Sequence, residues 1–235
     1  MITPLELVVL DMAGTTVRDD GVVEQAFQRA AERTGVADRM PWGEALEYVR
    51  ETMGQSKIDV FTYLAAGDRA AAARATAAFE DAYAEIVAEQ GVAEIPGAAD
   101  AIQGLKDAGL TVVLTTGFAP VTRDVLITGL GWEGLIDLAL SPVDAGRGRP
   151  APDLVLTALL RTQTSSVAAV AIAGDTVSDI ESGRRAGAGF VAGVLTGAHD
   201  RPALSAAGAD AVLSDVTALA PALVQRELLP LVATS

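Results

Sequence analysis

The chain has 235 residues, half of them apolar, which is enough for one large domain with or without an insertion. Its net charge of −14 argues against nucleic-acid partners, because phosphate backbones require basic surfaces. No cysteine is present, which excludes disulfides, thiol nucleophiles and thiolate metal sites. The sequence has neither a signal-peptide pattern nor an apolar run of about 20 residues, so we expect a cytoplasmic protein that does not span a membrane.

Short apolar runs bounded by Gly, Pro or Asp recur along the chain and indicate strands that are buried on both faces of a sheet. The predicted strands cover residues 5–10, 110–114, 135–140, 167–173, 189–195 and 211–213. Segments with helical spacing lie between most of them, at residues 98–108, 121–130, 152–162, 178–186, 201–207 and 216–224. Strands that alternate with helices predict an α/β fold with a doubly wound, Rossmann-like parallel sheet. Such sheets bind ligands outside the carboxyl ends of their strands.

One long segment interrupts this alternation. Residues 21–92 contain no strand-like run, and helical spacing covers residues 23–33, 42–53, 58–65 and 69–89. We interpret residues 21–92 as an inserted α-helical cap, and residues 1–20 and 93–235 as the α/β core, with hinges at residues 19–22 and 94–97. The alternative is a contiguous N-terminal helical domain. The insertion is favoured because the first predicted strand precedes the helical segment.

Polar residues follow the predicted strands at four places. Taken singly, each looks like an ordinary turn or helix start. They are Asp11 with Gly14 and Thr15, then Thr115-Thr116-Gly117, then Arg149, and then Asp175 with Asp179. Because the carboxyl ends of parallel strands meet at one edge of the sheet, we expect these groups to lie together.

Together these side chains favour phosphoryl chemistry. Neighbouring carboxylates repel one another unless a cation lies among them, and carboxylate oxygens beside a substrate phosphate are the usual ligands of Mg²⁺. Arg149 offsets the negative charge of Asp11 and of a phosphoryl group. We therefore expect Asp11 to act as a carboxylate nucleophile that forms an aspartyl-phosphate.

The set Asp11, Thr115, Arg149, Asp175 and Asp179 resembles that of the haloacid dehalogenase superfamily of aspartate-nucleophile hydrolases, and the helical insertion resembles the mobile cap of that superfamily. In its phosphatases, the second residue after the nucleophile is an Asp that acts as general acid and base. Here that residue is Ala13, which does neither, so we expect an ordinary phosphate ester to be a poor substrate. A carbon leaving group stabilised by an iminium needs no proton from that position.

Such an iminium requires a lysine that forms a Schiff base. Only two of the 17 basic residues are lysines, Lys57 and Lys106. Lys106 stands near a predicted helix end, where cations are favoured, and we interpret it as a surface residue. Lys57 follows Gly54, which is expected to interrupt or end a helix of the cap, so its side chain is placed to reach the core.

The motif Asp11-Met12-Ala13-Gly14-Thr15 and the motif Met53-Gly54-Gln55-Ser56-Lys57 resemble those of phosphonatase, the phosphonoacetaldehyde hydrolase branch of this superfamily. The resemblance implies that Lys57 condenses with the substrate aldehyde, that Asp11 attacks phosphorus, and that the C–P bond of a 2-oxoalkylphosphonate breaks. It also implies an Mg²⁺ site at Asp11, the Ala13 carbonyl, Asp175 and Asp179, and a homodimer. The implied phosphate-binding residues are Ala13, Gly14, Thr15, Thr115, Thr116, Gly117 and Arg149.

Two departures from the pattern of that branch leave undetermined which residues carry protons and which substrate is used. A His after the Schiff-base Lys and a Tyr after Thr-Thr-Gly are replaced by Val60 and Phe118. The single histidine, His199, follows a predicted strand, and a loop His is more often inert. The alternatives are a phosphomonoesterase that acts on a small organic phosphate, a haloacid dehalogenase, for which the Asp175 and Asp179 pair would lack a purpose, and a non-enzymatic scaffold.

Overall fold

The computed structural model describes residues 3–229, so the first two and the last six residues assigned to the core lie outside the described part. Within it, six strands form one parallel sheet: β1 (Leu7–Asp11), β2 (Thr111–Thr115), β3 (Leu138–Leu140), β4 (Val170–Gly174), β5 (Phe190–Val194) and β6 (Ala211–Leu213). Their order is β3-β2-β1-β4-β5-β6, which is the doubly wound arrangement predicted from the sequence.

Strand β1 lies at the centre of the sheet, between β2 and β4. All five of its residues are buried, because helices cover both faces of the sheet. In the register, Asp11 is paired with Thr115 of β2, and Leu10 is paired with Ala173 of β4. The chain reverses its direction of travel across the sheet between β1 and β4, and ligands bind at that position in such sheets.

Two predicted strands begin three residues before the observed ones. The strand expected at residues 135–140 begins only at Leu138, because the Leu135 N–H donates to the Trp132 carbonyl within a turn. The strand expected at residues 167–173 begins at Val170. The three residues before it form a 3-10 turn, in which the Ser166 side chain accepts a hydrogen bond from the Ala168 N–H.

Four helices between β1 and β2 form the inserted cap: α1 (Val22–Thr34), α2 (Trp42–Glu51), α3 (Lys57–Leu64) and α4 (Arg69–Gln90). Helix α1 lies between two glycines with positive φ, Gly21 and Gly35, and it buries an apolar face that includes Val23 and Phe27. Asp68 precedes helix α4 and caps it, because its carboxylate accepts hydrogen bonds from two N–H groups of the first turn. We propose residues 21–92 as the limits of the cap.

The two chain segments that lead into and out of the cap are held together. The Arg18 N–H donates to the Ala93 carbonyl, and the Ile95 N–H donates to the Thr16 carbonyl, both at 2.9 Å. Seven core helices follow the cap in the described residues: α5 (Ala98–Asp107), α6 (Pro120–Leu130), α7 (Pro142–Ala145), α8 (Asp153–Thr162), α9 (Val177–Ala186), α10 (Arg201–Ala206) and α11 (Leu219–Gln225). No helix of the described chain is both long and apolar enough to cross a bilayer.

Candidate active site

The loop after β1 turns tightly and presents Asp11 at the sheet edge. The Met12 carbonyl accepts the N–H groups of Thr15, Thr16 and Val17, all within 3.1 Å. Gly14 has φ +83°, and a Cβ there would lie 2.6 Å from Asp175 Oδ2. Only glycine allows both this backbone conformation and this approach to Asp175.

Three carboxylates converge at this edge. Ligand oxygens of Asp11, Asp175 and Asp179 all lie within 4.8 Å of one another, and all three residues are buried. Thr15 Oγ1 donates to Asp175 Oδ1 at 3.0 Å, and the Ala198 N–H donates to Asp175 Oδ2 at 2.8 Å. Burial raises the pKa of Asp175 well above its ordinary value, and the neighbouring carboxylates of Asp11 and Asp179 raise it further.

Arg149 lies against this cluster and is itself 4% exposed. Its Nη1 pairs with Asp11 Oδ1 at 2.6 Å and also with Asp179 Oδ1. Burial raises the pKa of Asp11 to about 7, the Arg149 guanidinium opposes this shift, and Asp179 adds to it. The Nε and Nη2 atoms of Arg149 are buried without a hydrogen-bond partner among the described residues. An anionic oxygen near these two donors would satisfy them.

The cluster has the donor set of a divalent-cation site. Among the described residues, the cation in contact with this cluster is Arg149, which pairs with Asp11 and Asp179, so one positive charge faces three carboxyl groups. Carboxylate oxygens are the donors that Mg²⁺ prefers, and a bound cation would offset the repulsion that raises the pKa values of Asp11 and Asp175. The residues present therefore fit Mg²⁺, and the Ala13 segment borders the same space.

Lys57 is the first residue of α3, and its side chain points into an aromatic cage. Its Nζ lies 5.0 Å from the ring centre of Phe118, 5.3 Å from that of Phe27 and 5.4 Å from that of Phe79. Burial lowers the pKa of Lys57 to about 8, Glu80 opposes this shift, and Arg149 reinforces it. In the described chain, the lysine that forms a salt bridge is Lys106, with Asp137 at 3.0 Å, and not Lys57.

Asp11 and Lys57 line one cavity. The wall of this cavity also includes Ala13, Gly14, Asp19, Met53, Gly54, Thr116, Gly117, Phe118, Asp175 and Thr176. The predicted residues Thr15, Thr115, Arg149 and Asp179 are buried beside the cavity but are not part of its wall. The structure thus brings the two predicted reactive groups, the carboxylate and the amine, to one enclosed space.

The cap lies close against the core around this cavity. A Cβ at Gly117 of the core would lie 2.5 Å from the Gln55 carbonyl oxygen of the cap. A Cβ at Gly54 of the cap would lie 2.5 Å from Thr176 Oγ1 of the core. The described structure is therefore a closed one, in which backbone of the cap touches two loops of the core.

The sequence of residues 5–187 matches the model of the haloacid dehalogenase-like hydrolase family. The chain belongs to this family. Among curated relatives it is similar to phosphonoacetaldehyde hydrolase of Bordetella pertussis, at 32% identity over 82% of this chain and 74% of that protein. Within the family it is phosphonatase-like.

Solved structures of other proteins show the same fold. The structure superposes on a phosphonoacetaldehyde hydrolase-like protein from Oleispira antarctica with a TM-score of 0.82, at 24% identity over 97% of this chain and 95% of that one. It also superposes on a predicted phosphoglycolate phosphatase from Haemophilus somnus with a TM-score of 0.75, at 17% identity over 94% of this chain and 99% of that one. Proteins named as phosphonoacetaldehyde hydrolase-like and as a phosphatase therefore share this architecture.

Three further residues considered in the sequence analysis, His199, Val60 and Phe118, supply no reactive group to the cavity. His199 Nδ1 accepts the Val177 N–H at 2.9 Å at the start of α9, and His199 is not part of the cavity wall. Val60 and Phe118 are buried apolar residues. Sequence reasoning noted Asp19 only as a hinge position and did not single out Glu80 of α4. Only the fold shows that both lie near Lys57, since they come from separate segments.

Proposed function

We propose that this chain is a Mg²⁺-dependent hydrolase that cleaves the C–P bond of a 2-oxoalkylphosphonate such as phosphonoacetaldehyde. The observation that carries the proposal is that Lys57 and Asp11 line the same cavity. The similarity to the phosphonoacetaldehyde hydrolase of Bordetella pertussis supports it.

Lys57 supplies the amine of a Schiff base. Its aromatic surroundings lower its pKa to about 8 by burial, so a much larger fraction of the amine is neutral at neutral pH than for an exposed lysine. The neutral amine condenses with the substrate carbonyl, and the resulting iminium accepts the electron pair of the C–P bond when it breaks. This chemistry needs no proton from the position of Ala13.

Asp11 attacks phosphorus and forms an aspartyl-phosphate, which water then hydrolyses. Arg149 holds one Asp11 oxygen at 2.6 Å, and its Nε and Nη2, which have no hydrogen-bond partner among the described residues, would bind phosphoryl oxygens. Gly14, Thr116 and Gly117 border the cavity and bind the phosphoryl group. Thr15 and Thr115 act from behind the wall, Thr15 by holding Asp175.

Mg²⁺ would be held by Asp11, Asp175 and the Ala13 carbonyl, with Asp179 alongside. It would supply neutralisation of the negative charge that the carboxylates and the phosphonate bring together. The cytoplasmic location and the homodimer stay predictions.

The second candidate function is phosphomonoester hydrolysis with a substituted acid and base. It is favoured by the structural similarity to the phosphatase-named protein of Haemophilus somnus. The same Asp11, Arg149 and acidic cluster would serve it, and Lys57 would then have no covalent role.

A phosphate-release assay separates the two functions. It compares phosphonoacetaldehyde and longer 2-oxoalkylphosphonates with sugar phosphates and phosphoglycolate, each with and without Mg²⁺. Borohydride added with phosphonoacetaldehyde should attach the reduced substrate carbon to Lys57, and peptide mass spectrometry locates the label. Lys57→Arg should lose both the label and phosphate release from phosphonates, while Lys106→Arg, the matched control, should keep both. Faster turnover of esters than of phosphonates would establish the phosphatase instead, and full phosphonate turnover by Lys57→Arg would refute the Schiff base at Lys57.

A further inference from the structure

The cavity contains one carboxylate to which the mechanism above gives no role. The ionisable side chains in its wall are, among the described residues, Asp11, Asp19, Lys57 and Asp175. Asp11 and Asp175 belong to the acidic cluster at the sheet edge. Asp19 comes from the segment that joins β1 to α1, so it borders the cavity from the side of the cap.

The Asp19 side chain is anchored at one oxygen. Its Oδ1 accepts the Val23 N–H at 2.9 Å, and its backbone carbonyl accepts the Val22 N–H at 2.7 Å, so Asp19 caps the start of α1. No residue in the described part of the chain donates a hydrogen bond to its Oδ2. One oxygen therefore fixes the carboxyl group, and the other is free to exchange a proton.

The charges around Asp19 suit a proton carrier. Burial raises the pKa of Asp19, and the Lys57 ammonium, which faces it from α3, opposes that shift. Glu24 and Asp20 of its own segment raise the pKa of Asp19 further, and Tyr83 faces it from α4. A carboxyl group whose pKa moves toward the working pH gives and takes protons more effectively.

The side chains closest to the amine are aromatic and cannot carry protons. The groups within about 5 Å of Lys57 Nζ that the structure identifies are the rings of Phe27, Phe79 and Phe118. Glu80 also lies near Lys57, but its two oxygens accept the Ala119 N–H and the Thr122 hydroxyl, and it is not part of the cavity wall. Imine formation nevertheless requires one proton to leave the lysine ammonium and one to reach the departing oxygen.

We propose that Asp19 is a catalytic residue that carries the proton during imine formation at Lys57, an inference that rests on the proposed function. Asp19 takes a proton from the Lys57 ammonium, the free amine adds to the substrate carbonyl carbon, and a proton moves from nitrogen to the former carbonyl oxygen. Asp19 then returns its proton to this hydroxyl group, which leaves as water while the nitrogen lone pair forms the C=N bond. The products are the iminium, one water molecule and the Asp19 carboxylate, and no oxidant or reductant is used.

Asp19→Asn is the sharpest variant, because the amide oxygen still accepts the Val23 N–H and caps α1 but cannot carry the proton. Asp81→Asn is the control, since Asp81 is an exposed carboxylate of the cap helix α4 and does not line the cavity. With phosphonoacetaldehyde and borohydride, we expect the rate of label incorporation and the kcat for phosphate release to fall by roughly 10²–10⁴-fold in Asp19→Asn and to stay at wild-type values in Asp81→Asn. The melting temperature of Asp19→Asn should stay close to that of wild type.

Asp19→Ala allows a chemical-rescue experiment, which distinguishes proton transfer by Asp19 from a purely structural role. Formate or acetate in the buffer should restore its labelling rate in proportion to the acid concentration and should leave Asp81→Asn unaffected. Labelling of Asp19→Asn at the wild-type rate, or a lost rate in Asp19→Ala that small acids do not restore, would overturn the inference while leaving the proposed function in place. If wild-type protein is not labelled at all, the proposed function fails and Asp19 loses this role with it.

Discussion

The Nζ atom of Lys57, a cap residue, lies 5.0 Å from the ring centre of Phe118, a core residue. Phe118 directly follows the Thr-Thr-Gly segment after β2, so the amine meets the core at the loop proposed to bind phosphate. Four of the five phenylalanines of the chain belong to the aromatic cluster around this amine, namely Phe27, Phe61, Phe79 and Phe118. The cluster excludes water from the amine and so controls its protonation.

The pH dependence of catalysis should follow the ionisation of the Lys57 amine. Since burial lowers the pKa of Lys57 to about 8, kcat/KM for phosphonoacetaldehyde should rise about tenfold per pH unit below that value and level off above it. Phosphate release measured over this range in wild type and in Lys106→Arg should give the same profile. A profile that still climbs at about pH 10 would mean that Lys57 ionises like an exposed lysine.

The lowered pKa of Lys57 also predicts that its contribution to the free energy of unfolding increases as pH rises. Folded Lys57 loses its proton at about pH 8, and unfolded Lys57 loses it near 10.5, so the unfolded chain binds more protons between these values. The free energy of unfolding of wild type, measured by urea denaturation, should therefore rise relative to that of Lys57→Met as pH increases through this window. A constant difference between the two proteins would contradict the shift.

The arrangement of the sheet and the position of Asp11 are predictable from the sequence, because apolar runs buried on both faces leave a strong pattern. Parallel strands then bring Asp11, Thr116 and Asp175 to one edge whatever the details of the loops. The short helix α7 was not predicted. Its signal was the capping box at Ser141 and Asp144, in which each side chain accepts a backbone N–H of the other residue.

The sequence does not predict that an aromatic cage, Asp19 and Glu80 surround Lys57, and the reason lies in tertiary packing. Phe27 and Phe79 fall on the apolar faces of α1 and α4, and this spacing is that of any helix packed on a core. Nothing local shows that these faces meet around an amine from α3. That contact depends on how three segments pack together, which a single sequence does not reveal.

Mg²⁺ binding should raise the free energy of unfolding even when no substrate is present. Burial raises the pKa of Asp11 from 3.8 to about 7, so the folded chain binds more protons between these values, and its free energy of unfolding should fall as pH rises through them in EDTA. At about pH 7.5, Mg²⁺ at a hundred times its dissociation constant should add about 2.7 kcal/mol. The gain should be smaller at about pH 5 and in Asp175→Asn. An equal gain in Asp175→Asn would place the ion elsewhere.

Arg149 should be essential to the folded state as well as to catalysis. Removing its guanidinium in Arg149→Met leaves the carboxylates of Asp11 and Asp179 buried without their cation, at a cost of about 3–5 kcal/mol. Arg147→Met is the control, because Arg147 is 72% exposed and pairs with Asp153, an interaction worth at most about 1 kcal/mol. Urea denaturation measures both, and equal losses would show that the buried pair is no more important than the exposed one.

A methyl group at Gly117 should disturb the closed cap while sparing the core. Its Cβ would lie 2.5 Å from the Gln55 carbonyl, so the cap backbone must move, and a displacement of about 1 Å costs on the order of 10²-fold in rate. We expect Gly117→Ala to lose that factor in kcat/KM for phosphonoacetaldehyde while its urea midpoint changes little. Gly104→Ala on α5 has open space around it and should gain about 1 kcal/mol with unchanged activity. Full activity in Gly117→Ala would show that closure at this contact is unnecessary.

Glu80 of the cap helix α4 should link cap closure to the core helix α6. Its carboxylate accepts the Ala119 N–H at 3.2 Å and the Thr122 hydroxyl, and α6 has no side-chain cap of its own. Removing this acceptor in Glu80→Ala should lower the free energy of unfolding by about 0.5–2 kcal/mol and speed hydrogen exchange in the first turn of α6. Because Glu80 also opposes the fall in the pKa of Lys57, the midpoint of the kcat/KM profile should move below about 8.

Asp81→Ala, at the next and exposed position of α4, provides the comparison for Glu80→Ala and should change stability by no more than about 0.5 kcal/mol. A purely structural cap at α6 would lower stability and speed exchange without moving the pH midpoint. The midpoint therefore distinguishes a carboxylate that only holds α6 from one that also sets the charge of the amine. Glu80→Gln keeps an oxygen for the Ala119 N–H and removes the charge, so it should shift the midpoint while losing less stability than Glu80→Ala.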